Sequence, residues 1–140
     1  MLFKNADFFR VNGVRRPYLP IRIMNPATGK SQKLMALIDT GADEVCMPAY
    51  IAEQLGHNLK KGTRKKGMGA GGLTTSYGHT TTLEIFDLYD RSIHRCHNIV
   101  IDYLVGLHCP LLGVKYFLEN FELRVHYPKK IFSIKKLNNN

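Results

Sequence analysis

The sequence has no tryptophan, only three cysteines and no long apolar run, and each shortage excludes something. Cys46, Cys96 and Cys109 are not spaced as a disulfide framework, so the chain reads as a protein of a reducing, cytoplasmic compartment with free thiols. No stretch approaches the roughly 18 apolar residues of a membrane helix, so no membrane partner is expected. The segment from Met1 to Arg10 places charges where a secretory signal needs its apolar core. Acids are scarce too, 11 against 20 Lys and Arg, for a net charge of +9. Such an excess suits an acidic partner. Its clusters, Lys60, Lys61, Arg64, Lys65 and Lys66, then Lys129, Lys130, Lys135 and Lys136, lack the interleaved aromatics that stack bases. They read as a solvated loop and a charged C-terminal end, and nucleic acid is not an expected partner.

What is present bounds the architecture. The chain has 140 residues, 44% of them apolar and 22% charged, enough to bury the core of one domain but too few for a two-lobed enzyme. There is no internal repeat and no Pro/Ser linker. Strand patterns dominate. Leu19, Ile21 and Ile23 alternate with Pro20, Arg22 and Met24; Asn25–Gly29 supplies turn chemistry, and Gln32–Asp39 reads as the returning strand. Pro48–Leu55, stopped by Gly56, is the best short helix. Strands resume at Thr80–Leu88 and Asn98–Tyr103. In Phe121–Tyr127, Phe121, Leu123, Val125 and Tyr127 face one way, and Pro128–Lys130 turns into Ile131–Ile134. The expectation is a mainly β domain over 18–136 with one or two short helices, preceded by an N-terminal extension, 1–17, and followed by a tail, 137–140. The extension and Asn138–Asn140 are the segments expected to be poorly ordered.

The chemistry lies in Ala36-Leu-Ile-Asp-Thr-Gly-Ala-Asp43. An apolar strand runs straight into an Asp, a small hydroxyl residue and a Gly, so a carboxylate stands where the sheet ends and the backbone turns. Alone, Asp-Thr-Gly occurs by chance in roughly a few per cent of chains this long, and a plain turn would use the same residues. Three further features fall in order behind it. Gly67-Met-Gly-Ala-Gly-Gly72 permits a mobile hairpin tip whose amides can approach a ligand closely; with no Lys-Ser/Thr after it, it is no phosphate cradle. Leu111-Leu-Gly113 follows late in the chain, and Val114–Leu118 reads as a short helical patch before the last two strands.

In this order the features resemble the retropepsin family, the single-domain aspartic proteases of retroviruses and their cellular relatives. Leu37–Ala42 resembles the catalytic motif, Gly67–Gly72 the glycine-rich flap, and Leu111-Leu112-Gly113 the element that crosses behind the catalytic loop. The ending, from Leu111 to Ile134, looks more like the cellular members than the viral ones. The sequence departs from the viral pattern at Val114, where an Arg usually pairs with the Asp after the catalytic loop, here Asp43. Lys115 stands where many cellular members carry an acid.

The resemblance implies a closed acid-protease barrel, one lobe per chain, with a flap hairpin. It implies an aspartic endopeptidase in which two carboxylates hold one water, one acting as acid and one as base, without metal or other cofactor. No second Asp-Thr/Ser-Gly exists, since Asp7, Asp43, Asp87, Asp90 and Asp102 all lack it. The second carboxylate must therefore be Asp39 of another copy across a two-fold axis. Catalytic roles then fall to Asp39, Thr40 and Gly41, substrate binding to Ala42, Asp43, Gly67, Met68, Gly69, Ala70, Gly71 and Gly72, and a structural role to Leu111, Leu112 and Gly113. The partners implied are a second copy of the chain and an extended polypeptide substrate.

Other readings are weaker. His94, Cys96, His97, His108 and Cys109 match no zinc spacing, and His94 and Cys96 alternate with Arg95 and His97 across a strand. Cys46 reads as a small core residue rather than a nucleophile. The rival of a different class is a dimeric peptide-binding module that keeps the fold without turnover. Against it stands the intact Asp39-Thr40-Gly41, because a binding module gains nothing from two repelling carboxylates.

Overall fold

A computed structural model describes residues 2–69 and 72–138. In chain order the strands are β1 Leu2–Asp7, β2 Phe9–Val11, β3 Val14–Arg16, β4 Tyr18–Met24, β5 Ser31–Ile38, β6 Cys46–Pro48, β7 Thr63–Gly69, β8 Gly72–Phe86, β9 Ser92–Leu104, β10 Leu111–Leu112, β11 Phe121–His126 and β12 Ile131–Lys136. One helix, α1, spans Ala49–Gln54, and 3-10 turns cover Leu59–Lys61 and Leu118–Asn120. The mainly β fold expected from the patterns is present.

The period-two alternation of β4 decides which face is buried. Leu19, Ile21 and Ile23 are fully buried while Arg22 is exposed, and each such side chain contributes about 1.5–3 kcal/mol through burial. The large sheet runs β4-β5-β10-β6-β9-β8-β7, and β4 also pairs with β8. The pairings from β4 through β5, β10, β6, β9 and β8 therefore return to β4, closing the sheet on itself. Within this ring pack Ile21, Ile85, Met47, Ile101 and Leu112. Along one edge of β8 lies β9; the other edge is shared by β7, opposite Gly72–Gly78, and β4, opposite Thr82–Ile85. The β7–β8 hairpin thus projects beyond the barrel, with Gly69 opposite Gly72.

Helix α1 starts after Pro48, with φ −60° and ψ 140°, and it ends where the glycine signal placed its stop. Gly56 takes φ +81°, its N–H donates to Glu53 O at 2.9 Å, and His57 N–H donates to Ala52 O at 2.9 Å, a Schellman closure. The β4–β5 turn supports the same end. Buried Asn25 donates through Nδ2 to Leu55 O at 2.9 Å, and Thr28 Oγ1 donates to it at 3.0 Å.

Four expectations are revised. The N-terminal segment is paired rather than loose: β1 runs antiparallel to β12 in a sheet ordered β1-β12-β11. Ala6 and Phe8 are buried, with Phe8 edge-on to Tyr127 at 5.4 Å. Asn12 and Gly13, at φ 49° and 78°, form the tight turn between β2 and β3, the type I′ signal of an Asn-Gly pair. Of Asn138–Asn140, residues 139 and 140 lie outside the described residues. Val114–Leu118 is a set of turns, with the 3-10 helix starting only at Leu118. On β11 the inward face fades: Phe121 is buried, but Val125 is exposed, and so is Tyr127 despite its contact with Phe8. The basic run Arg64–Lys66 lies on strand β7 rather than in a loop, and all three side chains are exposed.

Under the base of the hairpin, the rings of His57 and His79 stack at 4.6 Å, and both meet Tyr103 edge-on. Tyr103 shares a 2.8 Å hydrogen bond with Thr81, and burial pushes its hydroxyl up to about 12. Burial first, then the neighbouring His79, lowers the pKa of His57 below its ordinary 6.5. The unfolded chain therefore takes up this proton before the folded one. Stability from the neutral ring is fully present above the ordinary value and is lost as pH falls through and below it. Urea midpoints are expected to fall between about pH 7 and pH 5, and His57→Gln should reduce that slope; an unchanged slope would assign the effect to other groups.

Candidate active site

Asp39 is the first residue past β5, and backbone contacts hold it there. β10 runs parallel to β5, with Leu111 opposite Leu37 and Leu112 opposite Ile38. Leu37 N–H donates to Pro110 O at 2.9 Å, and Asp39 N–H donates to Leu112 O at 3.0 Å. The chain then turns: Ala42 N–H donates to Asp39 O at 3.2 Å, and Gly41 N–H donates to the Asp39 carboxylate at 2.9 Å. One carboxylate oxygen is thus oriented by the loop's own amide, as in an Asx turn.

Gly113 fixes the far side of the loop. Val114 N–H donates to Ala42 O at 3.0 Å, and Lys115 N–H donates to Asp43 O at 2.9 Å. A Cβ at Gly113 would lie 2.5 Å from Ala42 O and closer still to Glu44 O, so only glycine allows this crossing. Leu112 and Gly113 are buried, Leu111 half-buried.

A cleft of about 840 Å³ opens over the loop, lined by Asp39, Gly41, Ala42 and Asp43 on one side and Gly67 and Met68 of the hairpin on the other. Residues the sequence separates by some 25 positions therefore share one cavity. Thr40 and Gly41 are exposed in the single chain. Gly69 and Gly72 pair at the end of the hairpin, Gly72 at φ 109°; Ala70 and Gly71 lie outside the described residues. Met68 and Leu73, paired across the hairpin, are exposed at 80% and 79%. Asp43 is exposed, and among the described residues its carboxylate has no partner, as expected with Val114 in place of an arginine.

The cleft also holds residues the motifs did not mark: Glu44, Lys65, Ser76, Asp102, Leu104 and Cys46. Asp102 is 7% exposed and meets Lys65 Nζ at 3.1 Å. Lys65 also stands 3.7 Å from Glu44, and its ammonium is held above the usual lysine value chiefly by the hydrogen bond to Asp102. A carboxylate in the otherwise apolar run Ile99–Leu104 is the available signal, but it needs the β6–β9 register, Cys46 opposite Asp102, to place it. Cys46 is a cleft residue rather than a core one. Burial, then Asp102, pushes its thiol up to about 12, so it stays protonated and is a poor nucleophile. Elsewhere, His94 and Cys96 share a face and meet at 3.3 Å. Burial pushes the Cys96 thiol up and the His94 ring down.

A ring-closed β sheet, a carboxylate loop braced by a glycine crossing and a hairpin over the cleft define a single-lobe acid-protease fold. The family model described as "gag-polyprotein putative aspartyl protease" matches residues 26–119, and the chain belongs to that family. Among solved structures it is similar to a retropepsin-like aspartic protease from Rickettsia conorii, with TM-score 0.62 and 20% identity over 92% of this chain and 97% of that one. It also matches EIAV protease complexed with the inhibitor HBY-793, with TM-score 0.46 and 22% identity over 79% and 93%. No curated protein matches. Among the described residues no helix is long and apolar enough to cross a membrane.

Gly113→Ala should force the loop and the crossing strand apart at a cost of about 2–3 kcal/mol, read as a lowered urea midpoint. A midpoint equal to that of the unaltered chain would show that the crossing relaxes freely.

Proposed function

We propose that the chain is an aspartic endopeptidase that hydrolyses peptide bonds in extended polypeptides, with its active site shared between two copies. The observation that carries this reading is Asp39, held at the end of β5 with its carboxylate in a cleft under a glycine-rich hairpin. One such loop exists per chain, and the chemistry needs two. The exposure of Thr40 and Gly41 supports a partner loop approaching there, with Thr40 hydrogen-bonding across the axis.

In the dimer the two Asp39 carboxylates, brought within a few Å, share one proton. The ionised one draws a proton from the bound water as its oxygen attacks the carbonyl carbon; the protonated one donates to the carbonyl oxygen. Collapse of the tetrahedral adduct breaks the C–N bond as a proton reaches the amine. Substrate main chain lies against the main chain of the hairpin at Gly67–Gly72 and of the loop at Ala42–Asp43, where the free Asp43 carboxylate can accept a main-chain N–H. Three free thiols support a reducing, cytoplasmic setting.

The purified chain should cleave unfolded protein at about pH 4–6, where a carboxylate pair holds one proton. Asp39→Asn should abolish cleavage with the fold intact; equal cleavage by the variant would remove the assignment and favour the silent binding module. Activity per chain should also fall on dilution below the dimer constant, whereas a fully active monomer would refute the shared site.

A further inference from the structure

The cleft has the opposite charge to the chain around it. The chain carries +9, but the cleft is lined by the four carboxylates of Asp39, Asp43, Glu44 and Asp102 against the two ammonium groups of Lys65 and Lys66. Asp102 is the one that needs explaining. Its side chain is 9% exposed, it lies inside β9, and its Oδ1 is buried without a hydrogen-bond partner. A buried carboxylate oxygen left unpaired is costly, and a cationic donor is its strongest partner.

Gly78, opposite Asp102 on β8, puts no side chain beside Oδ1, but Val100 closes that side: a Cβ at Gly78 would lie 3.4 Å from Oδ1 and 2.8 Å from Val100 Cγ1. The oxygen that a cation can reach is Oδ2. Oδ2 is met by Lys65, whose side chain is 53% exposed and comes from the hairpin strand. Glu44 stands 3.7 Å from the same ammonium. Lys65 thus marks the place a cation occupies at Oδ2, with Glu44, whose other oxygen stands 4.0 Å from Lys115, as its second acceptor. Cys46 and Leu104 add uncharged walls, suited to an aliphatic stem.

We propose that Asp102 and Glu44 form a side-chain subsite in the cleft that selects a lysine or arginine of the bound polypeptide. The cation displaces the exposed Lys65 from Oδ2 and takes its place between the two carboxylates. The inference rests on the reading of the cleft as a polypeptide site, deepens it to a substrate class, and does not depend on turnover.

The test therefore has two arms. In the first, Asp39→Asn protein is titrated with fluorescent extended peptides carrying Lys, Arg, Met or Glu at one position at a time. At one position Lys and Arg should bind about tenfold tighter than Met, the scale of one charge-assisted hydrogen bond, and Glu more weakly than Met. Adding Asp102→Asn should erase the Lys-over-Met ratio, and adding Lys65→Met, at an exposed side chain, should raise it. Should Asp102→Asn fail to fold, the rise with Lys65→Met and a fall with Glu44→Gln decide the matter. Absence of any position with a Lys preference, or a preference these variants leave unchanged, overturns the subsite. In the second arm the unaltered chain is given the same peptides and cleavage is read by mass. Lys-selective binding without cleavage would overturn the protease reading and leave the subsite standing. Cleavage that ignores Asp102 would overturn the subsite and leave the protease reading.

Discussion

The close approach of Gly113 to the carbonyls of Ala42 and Glu44 is the constraint on which the rest depends. It lets β10, only two residues long, sit between β5 and β6 and complete the ring of pairings. It also sets where β5 must stop. Since Asp39 N–H is bonded to Leu112 O, the position of the carboxylate follows from the packing of the crossing strand rather than from the loop's own preferences. Core and site are therefore one problem: Leu112 is buried among the side chains that close the barrel, while its carbonyl fixes the residue that faces the cleft.

Much of this was legible in the residues. The alternation of Leu19, Ile21 and Ile23 marks β4, and Pro48 with Gly56 brackets α1, because those signals depend on local backbone chemistry. Asp39-Thr40-Gly41 and Leu111-Leu112-Gly113 mark both halves of the crossing, though only their order and resemblance joined them. The Asn12-Gly13 pair between two valines carries a hairpin signal as local as any other, although the segment around it lacks the long alternation that marks β4. What could not be read is whatever depends on register between distant strands. Asp102 stands out as a charge in an apolar run, yet its neighbours Cys46 and Gly78 come from two other strands. Lys65 looked like one more solvated lysine until its strand was placed beside the cleft.

The same register explains how a strongly basic chain can hold an acidic groove. Charge distributed along a sequence says little about charge in a cavity, because register decides which few residues reach it. Of the basic run on β7, Lys65 and Lys66 line the cleft and Arg64 does not. The net charge is then a property of the outer surface, which governs solubility and approach, whereas the cleft follows its own local balance.

The shared edge of β8 has a mechanical meaning. From Ser76 onward this strand is gripped by β9, and from Thr82 by β4 as well; at Thr75 one bond from Val105 N–H still reaches its carbonyl, but from Gly72 to Thr74 the strand paired with it among the described residues is β7. A two-stranded ribbon of that length is marginal by itself, so the outer hairpin and the barrel form separate cooperative units on one continuous strand. Local opening of the ribbon can proceed without loosening the ring beneath it. Amide exchange along β8 should accordingly change from fast to slow within a few residues of Ser76, dividing a single strand into a compliant tip and a rigid root.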